Sequence, residues 1–151
     1  GDFCLSNLLF DMRTSSLKMI DPRGLFGEGE HAQGYGDLAY DIAKLKHSLV
    51  GGYDLVLAGV KFSEIRGDIV RRPIRSQDKG ASDRLAHMAK LLDDELNKAV
   101  FEGRIHVDVV TRSNAIMPLL FLSMLPLHAE NFNRVSSLAS IGINAFHERF
   151  R

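Results

Sequence analysis

Asp2, Asn7 and Asp21 are the residues whose types and spacing could carry chemistry in this chain. Asn7 follows Asp2 by five positions and Asp21 follows Asn7 by fourteen, with strand-like residues between them. A loop holding Asp and Asn, followed by a hairpin that returns with a second Asp, can place three oxygen-bearing side chains together. Phosphoryl transfer from a nucleotide needs such a set. One carboxylate orients the attacking hydroxyl and accepts its proton, while an amide oxygen and a second carboxylate hold magnesium against the phosphates. An Asp and an Asn at this spacing also recur by chance, so the elements around them have to be weighed.

Asn7-Leu8-Leu9-Phe10 and Leu17-Lys18-Met19-Ile20 read as two short strands joined by a polar turn, a hairpin that would carry Asn7 and Asp21 at its open end. Residues 21–36 contain five glycines and a proline and read as a loop. A helix is expected to begin after Gly36 or Asp37, with Asp37 as N-cap, Leu38, Ile42, Leu45 and Leu49 as its apolar face, and Gly51-Gly52 as its end. Residues 55–65 and 69–74 read as strands around a turn at Arg66-Gly67-Asp68, which explains that triplet better than cell-adhesion recognition does. Residues 82–100 carry a helical stripe of Leu85, Met88, Ala89, Leu92, Leu96 and Ala99, with Ser82 as cap. Further helices are expected over 105–125, kinked or restarted near Pro118, and over the segment marked by Phe132, Val135, Leu138, Ala139, Gly142 and Phe146. A hairpin, a loop, a helix, a second hairpin and then helices make a mainly helical α+β fold in a single domain, residues 1–151.

Composition excludes several classes. Formal net charge is zero over 151 residues, so no overall field favours nucleic acid or an anionic membrane. The one basic run, Arg71-Arg72-Pro73-Ile74-Arg75, reads as a solvated strand edge. The apolar run from Ala115 to Leu125 is broken by Pro118 and Ser123 and falls short of the roughly 20 residues a membrane helix needs. Cys4 is the only cysteine, which rules out an internal disulfide and suits a reducing, cytoplasmic setting. The six histidines show no metal-ligand spacing. Gly34-x-Gly36-x-x-Ala39, with Asp54 downstream, matches a dinucleotide-binding pattern in letters only, because no strand-like stretch precedes it.

Gly1-Asp2-Phe3-Cys4-Leu5-Ser6-Asn7 resembles the H-G-D-x-x-x-x-N catalytic loop of the aminoglycoside phosphotransferase and choline kinase family, itself related to the protein-kinase loop. Ile20-Asp21 resembles that family's metal-binding segment, and Asp37-Leu38-Ala39-Tyr40-Asp41-Ile42-Ala43 its D-P-x-x-D-L-A element. Ile20-Asp21-Pro22-Arg23-Gly24, the run from Ala39 to Ser48 and the run from Leu120 to His128 resemble a bacterial branch linked to capsule and surface-polysaccharide synthesis. The stronger resemblance covers residues 1–50 and a fainter one runs to about 128.

The resemblance implies a kinase-like C-terminal lobe. Asp2 would be the catalytic aspartate, Asn7 and Asp21 would hold Mg2+, and Asp41 would brace the catalytic loop through its backbone. Arg23 would contact substrate or phosphate, or pair with Glu28 or Glu30 instead. The implied reaction transfers the γ-phosphoryl group of ATP to a hydroxyl of a sugar or similar small polar metabolite, with no nucleic-acid or membrane partner. Two departures stand out: the histidine before Gly1 is missing, and the chain has neither a glycine-rich phosphate loop nor a strand lysine with a helix glutamate. The chain is therefore expected to be a fragment without the ATP-clamping lobe. Alone it should be inactive, with apolar surface bared near the catalytic loop. A binding or scaffold module and a metal-dependent phosphohydrolase are the alternatives, and the acceptor, preferred nucleotide and oligomeric state stay open.

Overall fold

The computed structural model describes residues 2–21, 36–66, 69–76 and 78–149, with the backbone alone over 64–76 and at residue 149. A 3-10 turn, Leu5–Asn7, leads into β1 (Leu8–Asp11), which pairs antiparallel with β2 (Ser16–Met19). The second hairpin is β3 (Lys61–Arg66) with β4 (Ile69–Ser76). The helices are α1 (Leu38–Leu49), the short α2 (Tyr53–Leu57), α3 (Lys79–Phe101), α4 (Val107–Ser123) and α5 (Phe132–Arg149). The fold is thus α+β and mainly helical, with each hairpin standing as its own two-stranded sheet. The loop expected over 21–36 and the turn at Gly67-Asp68 lie almost wholly outside the described residues.

α1 is the central helix. Asp37 caps it as expected, its carboxylate accepting the Ala39 N–H at 2.9 Å. Eight of its twelve residues are buried, Lys44, Lys46, His47 and Ser48 among them, whereas Leu38 is 49% exposed. A one-sided apolar face was the wrong picture. Neighbours wrap this helix, so its polar side chains are buried and require partners.

The expected strand over 55–65 begins later. Gly52 takes the left-handed conformation at φ 70°, and Tyr53–Leu57 turns into α2, which carries Val56 into the core. A short apolar run does not by itself separate strand from helix. In the second hairpin Ser63 stands opposite Pro73, which has no N–H, and the ladder is irregular there. Ser63 donates its own N–H to Ser137 Oγ at 2.9 Å, which ties β3 to α5.

α3 starts earlier than expected, at Lys79, because Asp78 caps it by accepting the Ala81 N–H at 2.9 Å. Only Leu96 and Ala99 of its apolar stripe are buried. α4 runs continuously through the buried Pro118. By length and composition Val107–His128 would suit a membrane span, yet α1 and α5 both pack on α4. The core gathers Val56, Phe121, Leu138 and Ile141, with Tyr53, Met117 and Leu125 against it.

Two glycines permit this packing. A Cβ on Gly142 would stand 3.0 Å from Phe121 Cβ and 3.1 Å from the Pro118 carbonyl, and one on Gly51 would fall 2.1 Å from Phe121 Cζ. Phe121 is fully buried and cannot swing aside. Gly51→Ala is expected to destabilise the fold by about 1–3 kcal/mol, read as a lowered denaturant midpoint. An unchanged midpoint would show that the ring can give way.

Candidate active site

The chain around Asp2 is a tight turn. Cys4 N–H donates to the Asp2 carbonyl at 2.9 Å, and Asn7 N–H to the Cys4 carbonyl at 3.1 Å. The Asn7 side chain closes the same turn, Nδ2 donating to the Asp2 carbonyl at 2.9 Å. Only the nitrogen of an amide can face a carbonyl in this way. The amide orientation is therefore determined, and Asn7 Oδ1 has no hydrogen-bond partner among the described residues, which leaves it to meet water or a cation.

The hairpin brings Asp21 to the same end. Leu8 pairs with Met19, and the ladder extends one step further because Ile20 N–H donates to the Asn7 carbonyl at 2.9 Å. Asp21 therefore directly follows the residue bonded to Asn7. It is exposed and holds a left-handed backbone at φ 49°. Such a φ is uncommon outside glycine, although Asp tolerates it better than most, and it occurs often at functional sites.

Two residues that the sequence did not single out hold this loop against α1. Lys44 Nζ stands 2.8 Å from Asp2 Oδ1, at an angle that makes an ion pair and not an aligned hydrogen bond. The Lys44 side chain is 10% exposed and that of Asp2 22%. One turn further along, Ser48 Oγ accepts the Leu5 N–H at 3.4 Å. Asp41 lies half-buried in the first turn of α1, on the face it shares with Lys44 and Ser48 at helical spacing. From the loop an ion pair reaches Lys44 and a hydrogen bond reaches Ser48. The spacing of Asp41, Lys44 and Ser48 was a signal available in the sequence. Arg23 lies outside the described residues.

His47 is buried within the field of this pair. Its ring lies tilted between Tyr53 and Phe121 at centroid distances of 4.4 and 4.0 Å, and neither ring nitrogen has a hydrogen-bond partner among the described residues. Burial, helped by the Lys44 charge and opposed by Asp2, lowers its pKa to about 3. The imidazole is therefore neutral at pH 7.

Beside the loop, the first hairpin leaves Phe10, Leu17 and Met19 at 61, 60 and 52% exposure. By strand register these three share one face. Apolar surface is thus bare next to the turn that joins Asp2 to Asn7.

A cation fits the residues present in one respect. Among the described residues no three His, Cys, Asp or Glu side chains converge to hold a metal. Magnesium, however, commonly takes only one or two carboxylates and completes its shell with water and substrate phosphates. An amide oxygen on Asn7 and a carboxylate on Asp21 suit that habit. No protein-family model, curated protein or solved structure matches the chain, so the case for the site rests on these residues and their geometry.

Proposed function

We propose that the chain is the catalytic part of an ATP-dependent phosphotransferase that transfers the γ-phosphoryl group to a hydroxyl of a sugar or similar polar metabolite, in the cytoplasm and in the setting of capsule or surface-polysaccharide synthesis. The Asn7 amide carries the reading. Its nitrogen is committed to the Asp2 carbonyl, its oxygen has no hydrogen-bond partner among the described residues, and its backbone is bonded to the residue before Asp21.

Asp2 accepts the proton of the attacking hydroxyl, and Lys44 keeps the carboxylate in place from α1. Asn7 and Asp21 would hold a magnesium ion, which would supply positive charge against the charge that develops on the transferred phosphoryl group. The reading requires the adenine and the outer phosphates to be gripped from outside residues 1–151, so these residues alone should bind metal-nucleotide weakly and transfer little.

The test is a manganese titration of the chain with and without ATP, read through water-proton relaxation. Manganese-ATP should bind, and Asn7→Leu should weaken that binding at least about tenfold. Equal binding by the variant would remove Asn7 from the metal site. Phosphate released from ATP without an acceptor would favour a metal-dependent phosphohydrolase working through the same carboxylates. No metal or nucleotide binding at all would leave a binding or scaffold module.

A further inference from the structure

Lys44 and Lys46 are two residues apart on α1 and therefore point to nearly opposite sides of the helix. Lys44 faces Asp2. Lys46 faces a separate cavity of about 420 Å3 between α1, α3, α4 and α5, in the range that holds a small ligand. Its polar wall is Lys46, Asp93, Asn97, Asn114 and Glu148. A second cavity of about 450 Å3 shares Val50 and Asp93 with it and continues along α1 towards Lys61.

Lys46 is 4% exposed, and its Nζ lies 2.6 Å from Asn114 Oδ1 and 3.3 Å from Asp93 Oδ1. The ammonium is nearly buried but its partner Asp93 is 56% exposed, so the carboxylate that pairs with Lys46 is open to solvent at the cavity wall and accessible to a ligand.

The chemistry of the wall selects the ligand. An anion would meet Asp93 and Glu148, and a cation would meet Lys46. Two amides, a lysine and two carboxylates supply donors and acceptors in mixture, which matches hydroxyl groups because each of them both donates and accepts. We infer that this cavity binds a neutral polyhydroxylated ligand, a small saccharide or sugar alcohol, at a site separated from Asp2 by the width of α1. The inference does not rest on the phosphotransferase reading.

Binding of glucose, N-acetylglucosamine, maltose and sorbitol to residues 1–151 can be followed by NMR chemical shifts, with phosphate and spermidine as charged controls. Saturable binding of at least one neutral polyol is expected, with shifts centred on Asn97 and Asn114. Asn97 is exposed on α3, so Asn97→Ala should fold normally and bind about tenfold more weakly. Lys46→Met should lose binding with its thermal midpoint unchanged or raised, and Asp2→Asn should bind as the parent does. The inference is overturned if no polyol saturates, if phosphate or spermidine binds in their place, or if Asp2→Asn removes polyol binding while Lys46→Met and Asn97→Ala keep it.

Discussion

Asp2→Asn is expected to slow ATP-dependent transfer by about 10²–10⁴-fold, the usual contribution of a positioned general base, with the fold close to intact. The amide keeps an oxygen that Lys44 Nζ can approach, as it approaches Oδ1 at 2.8 Å in the parent, but it can no longer take the hydroxyl's proton. Asp2→Ala should lose the same activity and stability as well. It leaves the buried Lys44 charge without its carboxylate, a loss that costs about 3–5 kcal/mol for a well-buried pair and less here because Asp2 is partly solvated. ADP release by a chain carrying the complete nucleotide clamp, read beside urea midpoints, separates the two effects. An Asp2→Asn enzyme that turns over like the parent would remove Asp2 from the chemistry.

Acid should destabilise this protein through His47. Burial lowers its folded pKa to about 3, while in the unfolded chain it returns to about 6.5. Between those values the unfolded state binds a proton that the folded state refuses, so stability rises with pH across that window. The contribution is complete above about pH 6.5 and is lost as pH falls towards 3. At full extent it is on the order of 5 kcal/mol, a large share of a typical stability of about 5–15 kcal/mol. His47→Leu removes both the titration and two unpartnered ring nitrogens. Its stability should fall more gently with acid, so the gap between variant and parent should widen from pH 7 to pH 4. A constant gap would mean that His47 titrates alike in both states.

Local signals in the sequence were reliable where a local cause produced the structure. The Asp37 cap, the first hairpin and the turn that joins Asp2 to Asn7 depend on residues close in the chain, and the structure shows all three. Local signals misled where neighbours decided. Met88 reads as core by its spacing on α3, but it is 42% exposed, and the buried residues of that helix are Leu96 and Ala99 in its C-terminal half. Leu55 reads as strand, but the left-handed Gly52 turns it into α2.

The same division holds for the candidate site. Residue types and spacing by themselves determined a mainly helical α+β fold and named Asp2, Asn7 and Asp21 as a possible phosphoryl-transfer set, because a hairpin returns the chain to its start. Tertiary structure alone decided that Lys44 and Ser48 meet the loop from Asp2 to Asn7, that His47 is held between Tyr53 and Phe121 without a hydrogen-bond partner among the described residues, and that Lys46 faces a separate cavity. Helical periodicity states which residues share a face of α1. It does not state what lies against that face, and α1 is covered by the loop, α2, α3 and α4 in turn. Their arrival turns polar residues, which in the sequence look like a solvated surface, into the buried contacts of the protein.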